Sequence, residues 1–318
     1  MEILRNSGDI PAAVQGCVVV LGNFDGVHRG HQTVIGRGAE RAERLGAPLV
    51  VVTFEPHPRS YFRPHDPPFR LTPMRAKAHQ IEALGVTALV VLDFDEAFSK
   101  VTAEEFVKQI LIDGLKARHV VVGEDFRFGC QRSGDVVMLG AIGKTKGFGV
   151  TTVSPVASAD GEVYSSSHIR ENIIAGKPGH AAAMLGRPFE VEGTVQHGEK
   201  RGRELGFPTA NIDIGGYVHP ALGVYAVRAA IDPDGEPDWI NGVAYFGDRP
   251  TVDGKGLLLE VNLFDFDGDL YGRNIRVALI EFLRGDHKFE GLEALRKQIA
   301  DDSTAARRIL RIRAAGAP

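Results

Sequence analysis

The amino-acid sequence predicts an α/β protein in two parts: a parallel sheet wrapped by helices in the first half, then a small antiparallel β-barrel with a terminal helix. Two patterns carry this. From Cys17 to about Val153, short β-branched runs alternate with amphipathic segments, the rhythm of strands joined by crossover helices. After Gly186-Arg-Pro188 strand-like segments follow one another at roughly even spacing, with turns between them and no helical period until about Gly291. The expected boundary is Gly186, dividing the chain into 1–186 and 187–318.

In the first half, strands are expected at 17–22, 48–54, 87–92, 118–122 and 149–153, and helices near 29–46, 73–85, 102–113 and 135–146. Thr72-Pro73 pairs a capping residue with a first-turn proline, and Thr102-Ala-Glu-Glu105 spells a capping box. Such a sheet binds ligands beyond the carboxyl ends of its strands. At the first of those ends stands Gly22-Asn-Phe-Asp-Gly-Val-His28-Arg-Gly-His31, a strand-to-helix turn with two glycines, an aspartate and two histidines. Unpaired N–H groups and the positive helix end favour phosphate there, and His28 and His31 share one face of the first turn as further donors. Histidines that only cap or pack would show the same spacing, without the glycine turn in front of them.

Two more loops fall on the same sheet edge. Thr53-Phe-Glu-Pro-His57-Pro58 opens a proline-rich stretch to Phe69, long for a plain connection and expected to be a substrate loop. Gly123-Glu-Asp125-Phe126-Arg-Phe128-Gly129 offers aromatic faces and a cation to a planar heteroaromatic ring, unless Phe126 and Phe128 turn into the core. Further along, Ser165-Ser166-Ser167-His168-Ile-Arg170 sets hydroxyls and a guanidinium at a helix start, as a second anion site or a plain N-cap.

In the second half, strands are expected at 188–197, 209–214, 223–231, 238–246, 257–265 and 274–283. The run Gly198-Glu-Lys200-Arg201-Gly202-Arg203-Glu-Leu-Gly206-Phe-Pro208-Thr209-Ala-Asn211 combines a glycine-rich loop, three cations and two oxygen donors. On a strand, Thr209 and Asn211 project to one side and can share a hard cation such as Mg²⁺. A glycine-rich hairpin with a solvated basic face has the same composition. Glu260 stands between Leu259 and Val261, so it faces either a cleft or the barrel's outer surface. Asp265, Asp267 and Asp269 read as a solvated turn without EF-hand spacing. Gly291 to Arg313 reads as an amphipathic helix packing Leu292, Leu295 and Ile299 on the barrel, with Arg307 to Arg313 solvated.

The 318 residues, 43% of them hydrophobic, suffice for two cores. A net charge of −4 leaves no electrostatic footprint for nucleic acid or a membrane surface. Cys17 and Cys130 lack paired spacing, which fits a reducing compartment and neither a disulfide framework nor a zinc site. With no signal-peptide core and no run of membrane-spanning length, the expected location is the cytoplasm. Self-association stays open.

The string Gly22–His31 resembles the HxGH signature of the nucleotidylyltransferase superfamily, in the form typical of the prokaryotic bifunctional riboflavin kinase/FMN adenylyltransferase (FAD synthetase) family. Ser165–Arg170 is similar to that family's SSTxIR motif, and Gly202–Asn211 to the riboflavin kinase signature GxxLGFPTAN. The resemblance implies a Rossmann-like nucleotidylyltransferase domain over 1–186 and a six-stranded riboflavin kinase-like barrel over 187–318. It implies phosphorylation of riboflavin to FMN by ATP, with Glu260 as general base, Thr209 and Asn211 on Mg²⁺ and the ATP phosphates, and Gly198, Gly202, Gly206 and Pro208 forming the loop. It further implies adenylylation of FMN by a second ATP to FAD and pyrophosphate. His28, His31, Ser166, Ser167 and Arg170 would stabilise the phosphates, while Gly22, Phe24, Asp25, Gly30, Asp125, Phe126 and Phe128 would shape the FMN and ATP pockets. Three positions depart from the pattern. Ser167 replaces the usual threonine and keeps the hydroxyl, His168 stands where arginine is common, and Tyr245 stands where asparagine is frequent. The competing readings are an enzyme with one activity lost and a flavin- or nucleotide-sensing regulator.

Overall fold

The structure is a computed structural model and describes residues 1–6, 8, 10–197, 206–232, 237–251 and 254–315. Packing divides the chain into two compact units, Met1–Pro67 with Thr72–Ser165, and Pro68–Leu71 with Ser166–Pro318.

The first unit runs β1 (Glu2–Arg5), β2 (Val18–Leu21), α1 (Arg29–Leu45), β3 (Leu49–Glu55), α2 (Pro58–Phe62), α3 (Met74–Glu82), β4 (Ala88–Asp93), α4 (Glu96–Ser99), α5 (Ala103–Phe106, continued as a π-helix to Gly114), β5 (His119–Gly123), α6 (Val136–Lys146) and β6 (Gly149–Val153). The strands form one parallel sheet in the order β1-β4-β3-β2-β5-β6. β1 escaped the sequence reading because it is a short edge strand, largely exposed, that carries no apolar run. The inner strands read as unbroken apolar runs because both faces are covered. Val18, Val20, Val51 and Leu89 pack against α1 and α3, whereas Val19, Leu21, Val52 and Val120 pack against α5 and α6.

The predicted capping box at Thr102 is present, its hydroxyl accepting from the Glu105 N–H while the Glu105 carboxylate accepts from the Thr102 N–H. The proline-rich stretch is more ordered than a bare loop. Its helix α2 is capped by His57 Nδ1 and tied down by the Arg59–Asp66 ion pair, with Tyr61 and Phe62 edge-on to Phe94.

The chain proceeds from β2 outward through β3 and β4, then returns to the other side of β2 with β5 and β6. Loops leaving β2 and β5 therefore turn to opposite faces, which opens a crevice at their carboxyl ends. The string Gly22–His31 and the loop 123–129 flank it.

The second unit contains α7 (Ser166–Ile174), α8 (Pro178–Leu185), β7 (Phe189–Gln196), β8 (Ala210–Asp213), β9 (Gly223–Ile231), β10 (Ile240–Thr251), β11 (Gly254–Leu263), β12 (Asn274–Gly285) and α9 (Leu292–Ala315). The strands close a barrel in the order β10-β11-β8-β7-β12-β9. By packing, the unit begins ahead of Gly186, because α8 buries Pro178, Ala181, Met184 and Leu185 and packs on β7 and β12. Helix α9 covers Val224, Ala226, Val243 and Phe264 with Ala306 and Leu310. That cluster marks the outer face of β9 and β10, and the alternate residues Tyr225, Val227 and Phe246 fill the interior.

Two details of α9 correct the sequence reading. Leu292 is 70% exposed, and the buried stripe lies later, at Asp302, Ala306 and Leu310. Arg307 is not simply solvated: it grips Asp265 with two hydrogen bonds of 2.7 and 2.9 Å and lies over the Phe264 ring. Asp265 is thus an anchor for α9, and these bonds hold its carboxyl below the usual range.

Candidate active sites

In the first unit the turn after β2 is held in an unusual backbone state. Phe24 and Val27 have φ of 49° and 42°, and Gly26 lies at 88°. Left-handed conformations cost a non-glycine residue on the order of 1–3 kcal/mol each and persist only where the surroundings over-determine them. Here they do. Asp25, 2% exposed, accepts from the Thr72 N–H at 3.0 Å, and the Thr72 hydroxyl accepts from the Gly26 N–H at 2.8 Å. Thr72 is thereby spent on the turn and does not cap α3, whose first turn has no side-chain cap. Asn23 O accepts from Lys77 Nζ at 2.7 Å and from the Thr53 hydroxyl at 3.1 Å.

His28 is the N-cap of α1, its Nδ1 accepting from the His31 N–H at 3.4 Å. The two imidazoles stack, with centroids 3.6 Å apart, and Phe24 meets His31 edge-on. Glycines allow this crowding: a Cβ on Gly30 would stand 3.0 Å from His28 Cε1 and 3.4 Å from Tyr164 O, and one on Gly22 would strike the Phe24 ring. Gly22, Phe24, Asp25, Gly30, His28 and His31 thus form one cluster, in which Asp25 holds the turn and Phe24 is buried.

In the loop after β5, Asp125 is exposed, and Phe126 and Phe128 stack at 5.7 Å. Phe128 does not offer a free face as expected. It is 5% exposed, packed against Phe106, and paired with Gly134 through a short bridge. Only Phe126, half-buried at the end of the stack, retains an accessible edge.

Ser166 begins α7 in the second unit, Ser167 is exposed on its first turn, and Ile169 anchors the helix in the core. Arg170 donates from Nε to Phe69 O at 2.7 Å and lies over the Phe69 ring, so part of its bonding fixes the segment Pro68–Leu71.

On the barrel, register assembles a polar row. Asn211 is paired with Gln196 on β7 and with Glu260 on β11, and Glu260 in turn with Tyr245 on β10. Directly paired residues in an antiparallel sheet share a face. Tyr245 packs in the cluster beneath α9, so the row lies on the outer face. Glu260 is nevertheless only 6% exposed, and Asn211 is buried beside it. Thr209 immediately precedes β8, and the Pro208 carbonyl just before it accepts from Asn262 Nδ2 at 2.7 Å. Gly206 has φ of 85°. Gly198 and Gly202, with Lys200, Arg201 and Arg203, lie outside the described residues. Among the described residues no group of three or more His, Cys, Asp or Glu side chains could hold a metal. The oxygen donors of Thr209 and Asn211 instead suit a hard ion that also binds phosphates.

Two family models match the chain in succession, FAD synthetase over residues 10–168 and riboflavin kinase over 185–310. A bifunctional riboflavin kinase/FMN adenylyltransferase from Pseudomonas fluorescens is 43% identical over 96% of this chain and 97% of its own length. The chain belongs to this bifunctional family. Proteins of the same description from Escherichia coli K12 and Bacillus subtilis 168 are 38% and 40% identical, over 96% and 91% of this chain and 97% and 91% of their own. A crystal structure described as a macrolide-efflux protein from Streptococcus pneumoniae superposes with a TM-score of 0.85 at 32% identity, over 96% of this chain and 99% of that one. In the described part of this family member, no helix is long and apolar enough to cross a membrane.

Sequence reasoning missed Thr72, Lys77 and Asn262 as parts of these sites. Thr72 was masked by the proline after it, which suggests a cap. Lys77 left a signal, a lysine one turn ahead of Ile81 in the buried stripe of α3.

Proposed function

We propose that the barrel phosphorylates riboflavin to FMN and the N-terminal domain adenylylates FMN to FAD, with 1–186 and 187–318 as the functional division. The succession of two family models over one chain, each on a unit with its own polar cluster, carries this reading.

In the kinase step, Glu260 takes the proton of the riboflavin primary hydroxyl as that oxygen attacks the γ-phosphorus of ATP, and ADP leaves. Strand pairing sets Glu260 between Asn211 and Tyr245 on the outer face. Thr209 and Asn211 would hold Mg²⁺, which when bound neutralises charge on the ATP phosphates. Tyr245 folds over Gly247, whose missing side chain leaves it room, so this departure from the family pattern reshapes the wall beside Glu260.

In the adenylylation step an FMN phosphate oxygen attacks the α-phosphorus of ATP and pyrophosphate leaves. No protein nucleophile is needed, since the attacking phosphate is already ionised. Because His28 Nδ1 accepts from a backbone N–H, the proton of the neutral ring sits on Nε2, where it can be donated to a phosphate oxygen. His31 and the turn N–H groups are further donors, the family resemblance adds Ser166, Ser167 and Arg170 as phosphate-binding residues, and Phe126 borders the flavin. The substrates are small molecules, the expected location is the cytoplasm, and no nucleic acid takes part.

A chromatographic product assay tests this. Riboflavin, ATP and Mg²⁺ should yield FMN and then FAD, and FMN with ATP should yield FAD directly. His28→Ala should lower the second reaction about a hundred- to a thousandfold, the scale of one lost donor to developing charge, and spare the first. Collapse of both reactions in a folded variant would sink the two-site assignment.

A further inference from the structure

We propose that Lys77 is a charged positioning residue for adenylyl transfer, holding the turn Asn23–Val27 by its ammonium and polarising the peptide that follows Asn23. This rests on the reading of the histidine turn as the adenylyl-transfer site.

Lys77 is 0% exposed although it lies on α3, a surface helix of the first unit. Its Nζ reaches the carboxyl ends of β2 and β3, donating to Asn23 O at 2.7 Å and to the Thr53 hydroxyl at 3.2 Å. The Thr53 hydroxyl donates to the same carbonyl at 3.1 Å. One carbonyl thus receives a neutral donor and a cationic donor, at the residue that opens the strained run of Phe24, Gly26 and Val27.

Burying an ammonium is costly, and methionine would fill much of the same space without that cost. Thr53 already supplies the neutral donor that a merely structural tie requires. What Lys77 adds is charge. A cation on a peptide oxygen draws electrons from the whole amide, so the Phe24 N–H becomes a stronger donor. That N–H lies in the turn leading into the α1 N-terminus, where backbone donors and the helix end already favour an anion. The ammonium also stands behind the loop as a fixed positive charge that needs no reorganisation when charge builds on a phosphate.

The test measures both reactions of the full chain in Lys77→Met, Lys77→Arg and Thr53→Val, with thermal melts and with His28→Ala alongside. The expected result is a Lys77→Met variant with near-native Tm and intact riboflavin phosphorylation. Its kcat for FAD formation should fall about ten- to a hundredfold, the scale of one charge-assisted hydrogen bond, while KM for ATP moves far less. Lys77→Arg should regain part of the rate, and Thr53→Val, which removes the neutral donor and leaves the cation in place, should cost FAD formation clearly less than Lys77→Met does. A folded Lys77→Met making FAD at the native rate overturns the proposal. So does a loss in kcat that merely tracks a loss in Tm. If Lys77→Met does not fold, Thr53→Val decides: a loss as deep as that of His28→Ala would assign the holding to the hydroxyl and not to the charge. If His28→Ala itself leaves FAD formation untouched, the site reading has failed, and that failure is read separately.

Discussion

The histidine turn draws its chemical groups from one continuous string, Gly22–His31, whereas the barrel's polar row draws Gln196, Asn211, Glu260 and Tyr245 from four different strands. In the first, glycines and positive φ values bring backbone and imidazole together locally, and tertiary contacts from Thr72, Thr53 and Lys77 hold the result. In the second, nothing local places Glu260 beside Asn211; only the pairing of β8 with β11 does. A one-residue slip of that register would turn Glu260 into the barrel interior. The turn should therefore be sensitive to added atoms, and the row to the loss of single side chains.

The largest expected effect tests the row. Glu260→Gln should lower riboflavin phosphorylation about a hundred- to ten-thousandfold, as expected for removal of a general base, while FMN is still converted to FAD. Equal damage to both reactions would break the comparison. Next in size, Gly30→Ala sharpens it at the turn: the new methyl crowds His28 and Tyr164 O, and a displaced imidazole should cost FAD formation about ten- to a hundredfold. The kinase rate of the same variant should be native.

A smaller effect belongs to Asn262→Leu, which leaves the Pro208 carbonyl without its side-chain donor. Loss of about 1 kcal/mol of stability should accompany a raised KM for ATP in the kinase step alone, measured by melting and initial rates.

The smallest effect spans both units and marks where their difference ends. Burial holds the imidazoles of His119 and His219 below their usual value of 6.5. The folded state then binds fewer protons than the unfolded chain, so stability is full above pH 6.5 and is lost as pH falls through that value toward the depressed folded ones. Melts between pH 5 and 8 should show a Tm lower by a few degrees at the acid end, and His119→Gln should flatten part of that slope. A Tm that rises on acidification would contradict the burial of these rings.

The sequence by itself determined the alternation of strands and helices and the barrel's six strands, and it singled out His28, His31, Thr209, Asn211 and Glu260 as candidates, because period, turn chemistry and motif spacing are local properties of a chain. It could not determine that Phe128 is absorbed by the core beside Phe106, since alternation shows which side a ring is on and not what covers it. Nor could it show that α8 packs with the barrel, that Arg307 anchors Asp265, or that Thr72 and Lys77 reach back to residues 23–26. Those contacts join segments far apart in sequence, and only the closing of the sheet and the barrel brings such segments within hydrogen-bonding distance.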